Sequence, residues 1–339
     1  MAIRIVVVGM GPRGQDWLRE IQKAPGYVPV ACVDIDPAAL REVCSKGVVT
    51  PKQCFIELAE ALDQNECDAV MVATSPGSHF EPCELALSRG LPVMVEKPFT
   101  LSLREAVELV TLAEQKGAPL IVTQNYRYMR SFRTARRLIS DGVLGKVGMA
   151  VCQYYRVPHA MSGSLAHLTN NVLWGAGIHH IDALSYTLSK RVTGVLAESF
   201  TMPYGELPRG ASMQMLLSLE NETRAVYSST YESSGHEFFE GGQEFYVRFV
   251  GERATLHVFQ RWLILCESGK LPRLVRRGPR ISTEEKILLD QLRRALVAGE
   301  EPDSSGRDNL QTMAVVEACV RSASERRWIN PQELLDEYR

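Results

Sequence analysis

Two short stretches of this sequence place ionisable side chains where they could move a proton. The first is Glu96-Lys97-Pro98, which directly follows Leu91 to Val95, an apolar segment that predicts a buried strand. A lysine at the carboxyl end of such a strand lies between dry walls and loses proton affinity, so its amine could act as a base or hydrogen-bond donor near neutral pH. The alternative is a Glu96–Lys97 pair that serves the structure alone.

The second stretch runs from Gly175 to Asp182 and predicts the start of a helix. Within it His179 and Asp182 are three residues apart and share a helical face, so the carboxylate could orient the imidazole. This pairing favours a place for His179 in a substrate site, and a histidine satisfied within the core is the alternative. His180 points elsewhere, which fits a structural or exposed position.

A glycine-rich turn near the amino terminus indicates a ligand for this chemistry. The β-branched run Ile3 to Val8 predicts a buried strand and leads into Gly9-Met10-Gly11-Pro12-Arg13-Gly14, the pattern Gly-x-Gly-x-x-Gly. In this pattern Gly9 permits a tight turn, Gly11 lets the backbone approach a pyrophosphate, and Gly14 lets the next helix pack on the strand. The free N–H groups at the start of that helix then bind the anion.

The residues after this turn complete a dinucleotide-binding pattern. Tyr27 to Val33 predicts a second strand, and Asp34 ends it 20 residues after the last glycine. A carboxylate there accepts hydrogen bonds from the ribose hydroxyls of an adenosine, and a βαβ unit around an empty crevice is the alternative. Asp34 and the uncharged Ile35 favour NAD, because a carboxylate repels a 2′-phosphate. Arg13 and Arg41 could compensate, which leaves NADP open.

A second turn is predicted beside the first. Asp68 to Ala73 reads as the next buried strand, and it ends at the turn Thr74 to His79. Ligands of a doubly wound sheet bind outside the carboxyl ends of its strands, so Thr74 and Ser75 are candidates to contact the cofactor. Helix capping explains Ser78 but not Thr74. Lys97 would lie next to the positive nicotinamide ring, which lowers its proton affinity further.

Length and composition limit the class of protein. The 339 residues exceed the usual size of one core and predict two domains, and 45% hydrophobic with 23% charged residues is ordinary for a globular protein. The net charge of −2 implies no overall pull toward nucleic acid or an anionic membrane. No stretch approaches the about 18 apolar residues of a membrane-spanning helix. The basic stretch Lys270 to Arg280 contains Pro and Gly, which favours a solvated loop over a nucleic-acid patch.

The eight cysteines are scattered and form no C-x-x-C pair. Most lie in apolar or helical surroundings, which predicts reduced core residues and neither a disulfide frame nor a metal site. The first strand starts at Ile3 and leaves no room for a signal peptide ahead of it. We therefore expect a cytoplasmic protein without a bound metal.

The remaining segments predict the elements that would position these groups. In the first part of the chain we expect helices at Pro37 to Ser45, Phe55 to Leu62, Glu81 to Arg89 and Leu103 to Lys116. Strands are expected near Val48 to Thr50 and at Leu120 to Thr123. Because helices and strands alternate, they predict an α/β fold with a Rossmann doubly wound parallel sheet. We expect residues 1–123 to form this NAD(P)-binding domain.

The composition changes at residue 124, and the strand-like segments that follow alternate by two. They are Gly148 to Val157, Val192 to Thr201, Met213 to Leu219, Arg224 to Tyr231, Glu244 to Val250 and Ala254 to Phe259. Long strands joined by short turns predict a large, mostly antiparallel open sheet. Two helices, Thr283 to Ala298 and Gly306 to Arg326, would cover a face of this sheet or return to the first domain. Residues 124–339 are thus predicted to form an α+β domain.

Together these motifs resemble the Gfo/Idh/MocA oxidoreductase family over nearly the whole chain. The resemblance is carried by Gly9-x-Gly11-x-x-Gly14, Asp34, Thr74 with His79, Glu96-Lys97-Pro98, Asn125-Tyr126-Arg127, Leu144-Gly145-Lys146-Val147, Gly177-x-His179-x-x-Asp182, Val316-Glu317-Ala318 and Arg327-Trp328. The Glu-Lys-Pro step at this distance from the glycines is more specific than the glycines themselves.

The resemblance implies reversible hydride transfer between nicotinamide and a secondary alcohol or ketone of a sugar, inositol or related polyol. It implies that Lys97 lies between cofactor and substrate hydroxyl and that His179 assists as acid/base. It also implies that residues 124–339 bind the substrate and form homodimer or homotetramer contacts through the open sheet. The expected cofactor-binding residues are Gly9, Met10, Gly11, Pro12, Arg13, Gly14, Asp34, Thr74, Ser75, His79, Glu96, Lys97 and Asn125. The expected substrate-binding residues are Lys97, Arg127, Tyr155, His179 and Asp182. A sugar platform could be built by Trp174, Tyr154, Tyr155, Arg156 and His159, and a core or loop position is an equally good alternative for each of them.

One departure from the family pattern lies at Gly175. Many sugar and inositol dehydrogenases of the family carry Asp four residues before the histidine, so the Asp–His pair is broken here. His179 would need another orienting group, such as Asp182, Tyr154 or Tyr155, or the base would be a tyrosine or Lys97 alone. Two alternatives to a dehydrogenase stay open. One is an NAD(P)-binding regulator without turnover, and the other is a lyase or glycoside-cleaving enzyme that oxidises its sugar transiently with bound NAD.

Overall fold

The computed structural model describes residues 2–157, 165, 167–207, 210–234, 243–279 and 283–338. The chain divides into two compact units. The first consists of Met1–Gln124 with Ser282–Leu310, and the second of Asn125–Ile281 with Gln311–Arg339. Each unit carries its own sheet, and the two sheets differ in the direction of their strands.

The first unit is built on a parallel sheet. Its strands, within the described residues, are β1 (Ile3–Val8), β2 (Tyr27–Val33), β3 (Cys54–Phe55), β4 (Ala69–Val72), β5 (Val93–Val95) and β6 (Leu120–Val122). The order is β3-β2-β1-β4-β5-β6, and every neighbouring pair is parallel. β4 and β5 are buried at every position, which explains why they read as uninterrupted apolar runs. The predicted doubly wound sheet is confirmed.

Helices connect these strands: α1 (Pro12–Lys23), α2 (Pro37–Ser45), α3 (Leu58–Gln64), α4 (Phe80–Ser88) and α5 (Leu103–Lys116). Local chemistry sets their ends. The Asp36 carboxylate accepts the Ala38 N–H at 2.8 Å and caps α2. Gly117, at φ +62°, ends α5 in the left-handed conformation that glycine adopts without strain.

One short element was predicted in the wrong place. The strand expected near Val48 to Thr50 is absent, and β3 lies at Cys54–Phe55. The intervening residues form a short 3₁₀ turn at Pro51–Gln53, in which the Thr50 N–H donates to the Gln53 side chain at 3.0 Å. Thr50 is the N-cap of this turn, so the strand forms only after the turn, and the following helix also starts later than predicted.

The second unit contains a larger sheet. Its strands in the described ranges are β7 (Val147–Arg156), β8 (Val192–Phe200), β9 (Ser212–Leu219), β10 (Arg224–Thr230), β11 (Gln243–Gly251), β12 (Ala254–Phe259), β13 (Leu263–Glu267) and β14 (Arg273–Leu274). The order is β14-β13-β12-β11-β7-β10-β9-β8. Only β7 and β10 pair in parallel within these ranges, so the predicted mostly antiparallel sheet is confirmed. The sequence did not reveal β13 and β14, and β14 lies in the basic stretch expected to be a loop.

Two helices, α6 (Arg130–Ser140) and α7 (Ile178–Leu188), precede and follow β7 in the chain. A π-helical turn at Leu173–Gly177 leads into α7, most of which is buried. His180 of α7 contacts Tyr227 of β10 and Phe245 of β11, so α7 covers one face of the sheet, which we call the inner face. Side chains of the opposite, outer face alternate with these along each strand.

The last helices are α8 (Glu284–Ala298), α9 (Gly306–Glu325) and α10 (Pro331–Asp336). α8 belongs to the first unit, where the Tyr27 hydroxyl donates to the Leu289 carbonyl. α10 follows Ile329, which pairs with Val195 of β8 in the second unit. Across the described ranges, no helix combines the length and the apolar composition needed to cross a bilayer.

Candidate functional site

The glycine turn of the first unit has three glycines with two different roles. Gly9 has φ +91°, and a Cβ there would lie 2.7 Å from the carbonyl group of Ala73. A Cβ on Gly14 would lie 1.6 Å from the Gly9 oxygen, so the first turn of α1 packs directly on the end of β1. A Cβ on Gly11 would meet nothing within 4 Å. Packing therefore requires Gly9 and Gly14, whereas Gly11 faces open space where a ligand could approach the backbone.

Asp34 is joined to this turn at the end of β2. Its Oδ2 accepts the Met10 N–H at 2.6 Å, and its Oδ1 accepts the Asp36 N–H at 2.8 Å. Each carboxylate oxygen keeps a further lone pair that could accept a ribose hydroxyl. A cleft of about 500 Å³ adjoins the turn and is lined by Met10, Gly11, Pro12, Gln15, Asp16, Arg19, Asp36, Ala38, Ala39 and Glu42. The turn, the carboxylate and the cleft fit the adenosine and pyrophosphate of a dinucleotide.

Glu96 connects the end of β5 to α1. Its side chain is 7% exposed, and its Oε1 accepts bonds from Arg13 Nη2 at 2.7 Å and from the Trp17 indole at 2.6 Å. Its Oε2 accepts the Lys97 backbone N–H at 3.2 Å. Sequence reasoning missed Trp17, although an indole N–H on the helix after a glycine motif needs a buried acceptor. The network fixes the backbone that carries Lys97 beside the first turn of α1.

Lys97 follows β5 and is half-buried. Burial lowers the pKa of its ammonium to about 8, with the Glu96 carboxylate opposing this change and the Arg13 guanidinium reinforcing it. The peptide bond between Lys97 and Pro98 is cis. An amine with this pKa exchanges its proton near neutral pH, which is what a general base requires.

His79 has its two ring nitrogens against backbone carbonyls. Nδ1 lies 2.9 Å from the Pro98 oxygen and 3.1 Å from the Phe99 oxygen, and Nε2 lies 3.1 Å from the Thr74 oxygen. The side chain is fully buried, and burial lowers the pKa of the imidazole. His79 thus ties the turn after β4 to the loop that follows Lys97. Its direct contact with a cofactor stays a prediction.

Thr74 and Ser75 lie at the carboxyl end of β4, as expected. The Thr74 hydroxyl donates to the Ser78 carbonyl at 3.0 Å, and the Ser75 and Ser78 hydroxyls are 3.2 Å apart. Thr74 is half-buried and Ser75 is exposed, so both hydroxyls keep hydrogen-bonding capacity toward a ligand. Asn125 belongs to the second unit, and its Oδ1 is a buried atom without a hydrogen-bond partner among the described residues.

In the second unit His179 lies against an aromatic ring. Its imidazole is buried and stacks on Tyr126 with ring centroids 4.1 Å apart and ring planes 13° from parallel. Tyr126 comes from a short 3₁₀ turn, Tyr126–Tyr128, ahead of α6. This stacking could not be predicted from the sequence, because 53 residues separate the two rings. The stack fixes the plane of the imidazole.

Asp182 forms an ion pair that the sequence did not predict. Its Oδ2 accepts Arg127 Nε at 2.8 Å, its Oδ1 accepts Arg127 Nη2, and the Thr312 hydroxyl donates to Oδ1 at 3.3 Å. The side chains of Asp182 and Arg127 are 0% and 4% exposed, and the guanidinium lies 5.0 Å from the Tyr186 ring centroid. The structure thus joins two predicted substrate-binding residues to each other, and their contact with a substrate stays a prediction.

Tyr154 and Tyr155 lie on opposite faces of β7. Tyr154 is on the inner face, with its ring centroid 4.8 Å from that of His180. The Tyr155 hydroxyl donates to Ser228 Oγ at 3.3 Å on the outer face. The structure therefore does not bring Tyr155 to the face that carries α7 and His179, as its predicted substrate role assumed. Adjacent strand residues alternate between faces, and the sequence alone did not tell which tyrosine points inward.

His180 packs as a structural residue, in agreement with one of the two expectations for it. Its Nδ1 lies 2.9 Å from the Tyr227 hydroxyl, and its ring stacks on Phe245 at 4.7 Å. Trp174 is half-buried in the π-helical turn before α7. His159, the remaining candidate for the platform, lies outside the described residues.

The position of Gly175 is filled by a distant side chain. A Cβ on Gly175 would lie 2.3 Å from the Tyr231 hydroxyl oxygen. Tyr231 directly follows β10 and is buried, which raises the pKa of its phenol. A neutral phenol therefore lies where a side chain at position 175 would begin. No sequence signal linked the two residues.

Within the described ranges, no group of three His, Cys, Asp or Glu side chains could hold a metal ion. The glycine turn, Asp34 and the parallel sheet together define a dinucleotide-binding protein. Residues 3–124 match the family model described as the oxidoreductase family with NAD-binding Rossmann fold, and residues 132–257 match the GFO/IDH/MocA C-terminal domain. The chain belongs to the Gfo/Idh/MocA oxidoreductase family, and its first unit is an NAD-binding Rossmann domain. Both predictions are confirmed.

Relatives cover the full length or about half of the chain. A D-apiose dehydrogenase of Paraburkholderia graminis is 25% identical over 342 residues, which span 97% of this chain and 89% of that protein. An inositol 2-dehydrogenase of Streptomyces avermitilis is 29% identical over 192 residues, 56% of this chain and 54% of that protein. A solved oxidoreductase from Agrobacterium radiobacter in complex with NAD⁺, L-tartaric acid and magnesium has a TM-score of 0.87 at 21% identity, covering 98% of this chain and 100% of that one. At this identity the structural likeness shows the fold.

Proposed function

We propose that this protein is an NAD-dependent dehydrogenase or ketoreductase that acts on a secondary alcohol or ketone of a sugar, inositol or related polyol. The observation that carries the proposal is the position of Lys97 just after β5, at the carboxyl edge of the parallel sheet, where burial lowers the pKa of its amine to about 8 and suits it to proton transfer. Glu96 and Arg13 hold its backbone beside the turn that binds the dinucleotide. The names of the curated relatives, D-apiose dehydrogenase and inositol 2-dehydrogenase, support the substrate class.

The residues around the cleft favour NAD over NADP. A 2′-phosphate needs cations, but Asp34 ends β2 and the neighbouring Ile35 is uncharged and 86% exposed. Arg13, one of two arginines that could compensate, donates to Glu96 at the end of β5. The charged residues that line the cleft are Asp16, Arg19, Asp36 and Glu42. Bound NAD supplies the hydride acceptor for the alcohol.

The chain's own residues supply proton transfer and positioning. Neutral Lys97 accepts the proton of the substrate hydroxyl during oxidation and returns it during reduction. His179 acts as a second acid/base, with its ring plane set by Tyr126. Asp182, one helical turn after His179, is fixed by Arg127 and thereby positions the start of α7. Thr74, Ser75 and Asn125 provide further polar contacts to the cofactor.

Reduction of NAD by a panel of polyols tests the proposal. The purified protein is mixed with NAD and with inositols, pentoses including D-apiose, hexoses and the corresponding sugar acids, and NADH is followed by absorbance. We expect turnover with at least one compound. Binding of NAD without turnover of any compound would contradict the proposal and favour a regulator. Release of nucleotide only when the protein is denatured would instead indicate an enzyme that retains its cofactor.

We also propose a homodimer or homotetramer formed through the outer face of the large sheet. An apolar row crosses this face in register through Leu196, Leu216, Val226 and Val151. Leu216 is 46% exposed and Val226 is 40% exposed, which is unusual for neighbouring apolar side chains in a sheet. A second copy of the chain would bury this row.

Light scattering on a sizing column tests this assembly. Leu216→Glu should convert the oligomer to a monomer, because it places a charge inside the apolar contact. The matched control is Val297→Glu on α8, where the valine is 78% exposed and lies off the sheet, and it should leave the mass unchanged. A monomeric wild-type protein, or a Leu216→Glu oligomer of unchanged mass, would contradict the proposed contact.

A further inference from the structure

The last residue of β7 places a guanidinium among the aromatic side chains of the inner face. Arg156 lies two residues after Tyr154, so both side chains project from the same side of the strand. The two side chains share a hydrogen bond. The charge of Arg156 also reaches Tyr126 and Tyr231, where burial raises the phenol pKa and Arg156 opposes the rise. Arg156 is thus close to the tyrosine that stacks on His179 and to the one that contacts Gly175.

This cation lacks a balancing acid in the part of the chain that the structure describes. Arg156 is half-buried, forms no ion pair with a described carboxylate, and its Nε is a buried atom without a hydrogen-bond partner there. Glu232 adjoins Ser233, whose N–H donates to the Arg156 carbonyl, but the Glu232 carboxylate accepts the Met202 N–H at 2.8 Å. A cation in such surroundings costs free energy until an anion joins it.

The arrangement at Gly175 keeps the site positive. A carboxylate on this turn could have balanced Arg156, but the glycine leaves its place to the Tyr231 hydroxyl. Because burial raises the pKa of this phenol, Tyr231 stays neutral at physiological pH. The aromatic rings of Tyr126 and Tyr154 offer apolar faces but no negative charge. Among the described residues, the inner face at the end of β7 therefore combines stacking surfaces with one cation that has no carboxylate partner.

We propose that Arg156 binds a carboxylate of the substrate, so that the preferred substrates are sugar acids, such as aldonic or uronic acids, over neutral polyols. The proposal rests on the function proposed above and names the substrate class of that same site. A planar guanidinium binds a carboxylate through two parallel hydrogen bonds, a stronger and more selective contact than a hydroxyl can make. Tyr154 is the positioning residue that holds the guanidinium by its hydrogen bond.

Paired compounds that differ in one group test this inference. The probes are D-galacturonate against D-galactose and D-gluconate against D-sorbitol, measured for kcat/KM with NAD and, by calorimetry, for binding to the NAD-saturated protein. We expect at least one acid to exceed its neutral partner by about tenfold or more in affinity and in kcat/KM. Arg156→Gln should raise the KM and Kd of that acid about tenfold or more. The kcat for the acid, and the KM and Kd of the neutral partner, should change less than about threefold.

Two further variants keep the result interpretable. Arg156→Lys retains the charge but not the planar fork, so it should restore part of the affinity for the acid. Arg276→Gln removes an exposed arginine of the same unit and should leave the KM and Kd of both compounds unchanged. Thermal unfolding verifies that each variant is folded.

The outcomes separate the two proposals. Oxidation of neutral polyols in preference to the acids, or an equal effect of Arg156→Gln on both, would overturn the role of Arg156 and leave the dehydrogenase standing. Arg156-dependent binding of an acid without any turnover would support the anion site and count against the dehydrogenase. If neither acid binds more tightly than its neutral partner, the inference is wrong.

Discussion

Each unit joins an arginine to a carboxylate next to a proposed acid/base group, but the two pairs are buried to different depths. In the first unit Arg13 is 45% exposed and reaches the nearly buried Glu96. In the second, Arg127 and Asp182 are both withdrawn from solvent. A half-exposed pair beside Lys97 can adjust the charge at that amine, whereas a fully buried pair serves mainly to hold the start of α7. An ion pair of the same chemistry thus adjusts the charge at Lys97 in the first unit and stabilises the start of α7 in the second.

If the Arg13–Glu96 pair adjusts the charge at Lys97, the Lys97 amine itself must carry out proton transfer. Lys97→Ala should lower kcat/KM by roughly 10³-fold, because the loss of a positioned base removes general catalysis. The Kd for NAD should change less than about threefold, since the glycine turn and Asp34 remain. Steady-state kinetics and calorimetry give the two values. Lys52→Ala, at an exposed lysine of the same unit, is the control, and a Lys97→Ala enzyme of normal activity would remove Lys97 from the mechanism.

Because the Arg127–Asp182 pair holds the start of α7, its disruption should cause a large loss of stability. Arg127→Met should lower the free energy of unfolding by about 3 kcal/mol, because the buried Asp182 carboxylate loses the guanidinium that balances its charge. The double variant Arg127→Met with Asp182→Leu should lose less than the sum of the single changes. Urea unfolding measures all three proteins.

The control for this prediction is an exposed pair in the same unit. Arg191 and Glu220 are 63% and 33% exposed, so Arg191→Met should cost less than about 1 kcal/mol. If Arg127→Met is as mild as Arg191→Met, depth of burial does not distinguish the pairs. A stable Arg127→Met protein with a raised KM would instead indicate that Arg127 contacts the substrate.

The two units also differ in how much the sequence revealed. The turn at Gly9, Gly11 and Gly14 could be predicted because backbone geometry fixes the residue type: two of these positions have no room for a Cβ. Apolar runs and alternating patterns gave the parallel and antiparallel sheets for the same reason, since burial sets the period. Only short elements such as β3 and β14, whose few residues carry little pattern, were misplaced or missed.

The candidate site of the second unit depends on contacts between distant residues. Tyr126 on His179, Arg127 on Asp182 and Tyr231 against Gly175 each join residues more than 50 positions apart. Residue types at those positions do not specify their partners. The sequence therefore identified His179 and Asp182 as candidates but paired them with each other, and it favoured Tyr155 where Tyr154 points inward.

The distinct role of Gly11 can be separated from that of its neighbours. Gly11→Ala should leave the unfolding temperature unchanged, because the new Cβ meets no atom within 4 Å. It should raise the Kd for NAD about tenfold, because the methyl group occupies the path by which a pyrophosphate reaches the backbone. Gly14→Ala should instead destabilise the protein through its clash with the Gly9 carbonyl. Gly148→Ala, also unobstructed but in the second unit, is the control, and unchanged NAD binding by Gly11→Ala would refute the ligand role.

The influence of Glu96 on the pKa of Lys97 gives the smallest and most specific of the predicted effects. Only the neutral amine of Lys97 accepts a proton, so the rate of alcohol oxidation should rise with pH through about 8, the pKa of that amine. The carboxylate of Glu96 raises this pKa, whereas burial and Arg13 lower it. Glu96→Gln removes the charge that raises the pKa of Lys97. Burial and the Arg13 charge, which both lower this pKa, remain. The rising limb of kcat/KM should therefore move to lower pH, by about one pH unit.

A pH profile of kcat/KM for wild type and Glu96→Gln measures this displacement directly. Glu57→Gln, at an exposed acid of the same unit, should leave the limb in place. A limb that moves to higher pH, or one that does not move, would mean that the titrating group is not Lys97 or that Glu96 does not act on it. A displacement in the expected direction without loss of stability would distinguish this half-exposed pair from Arg127 and Asp182, whose disruption should change stability first.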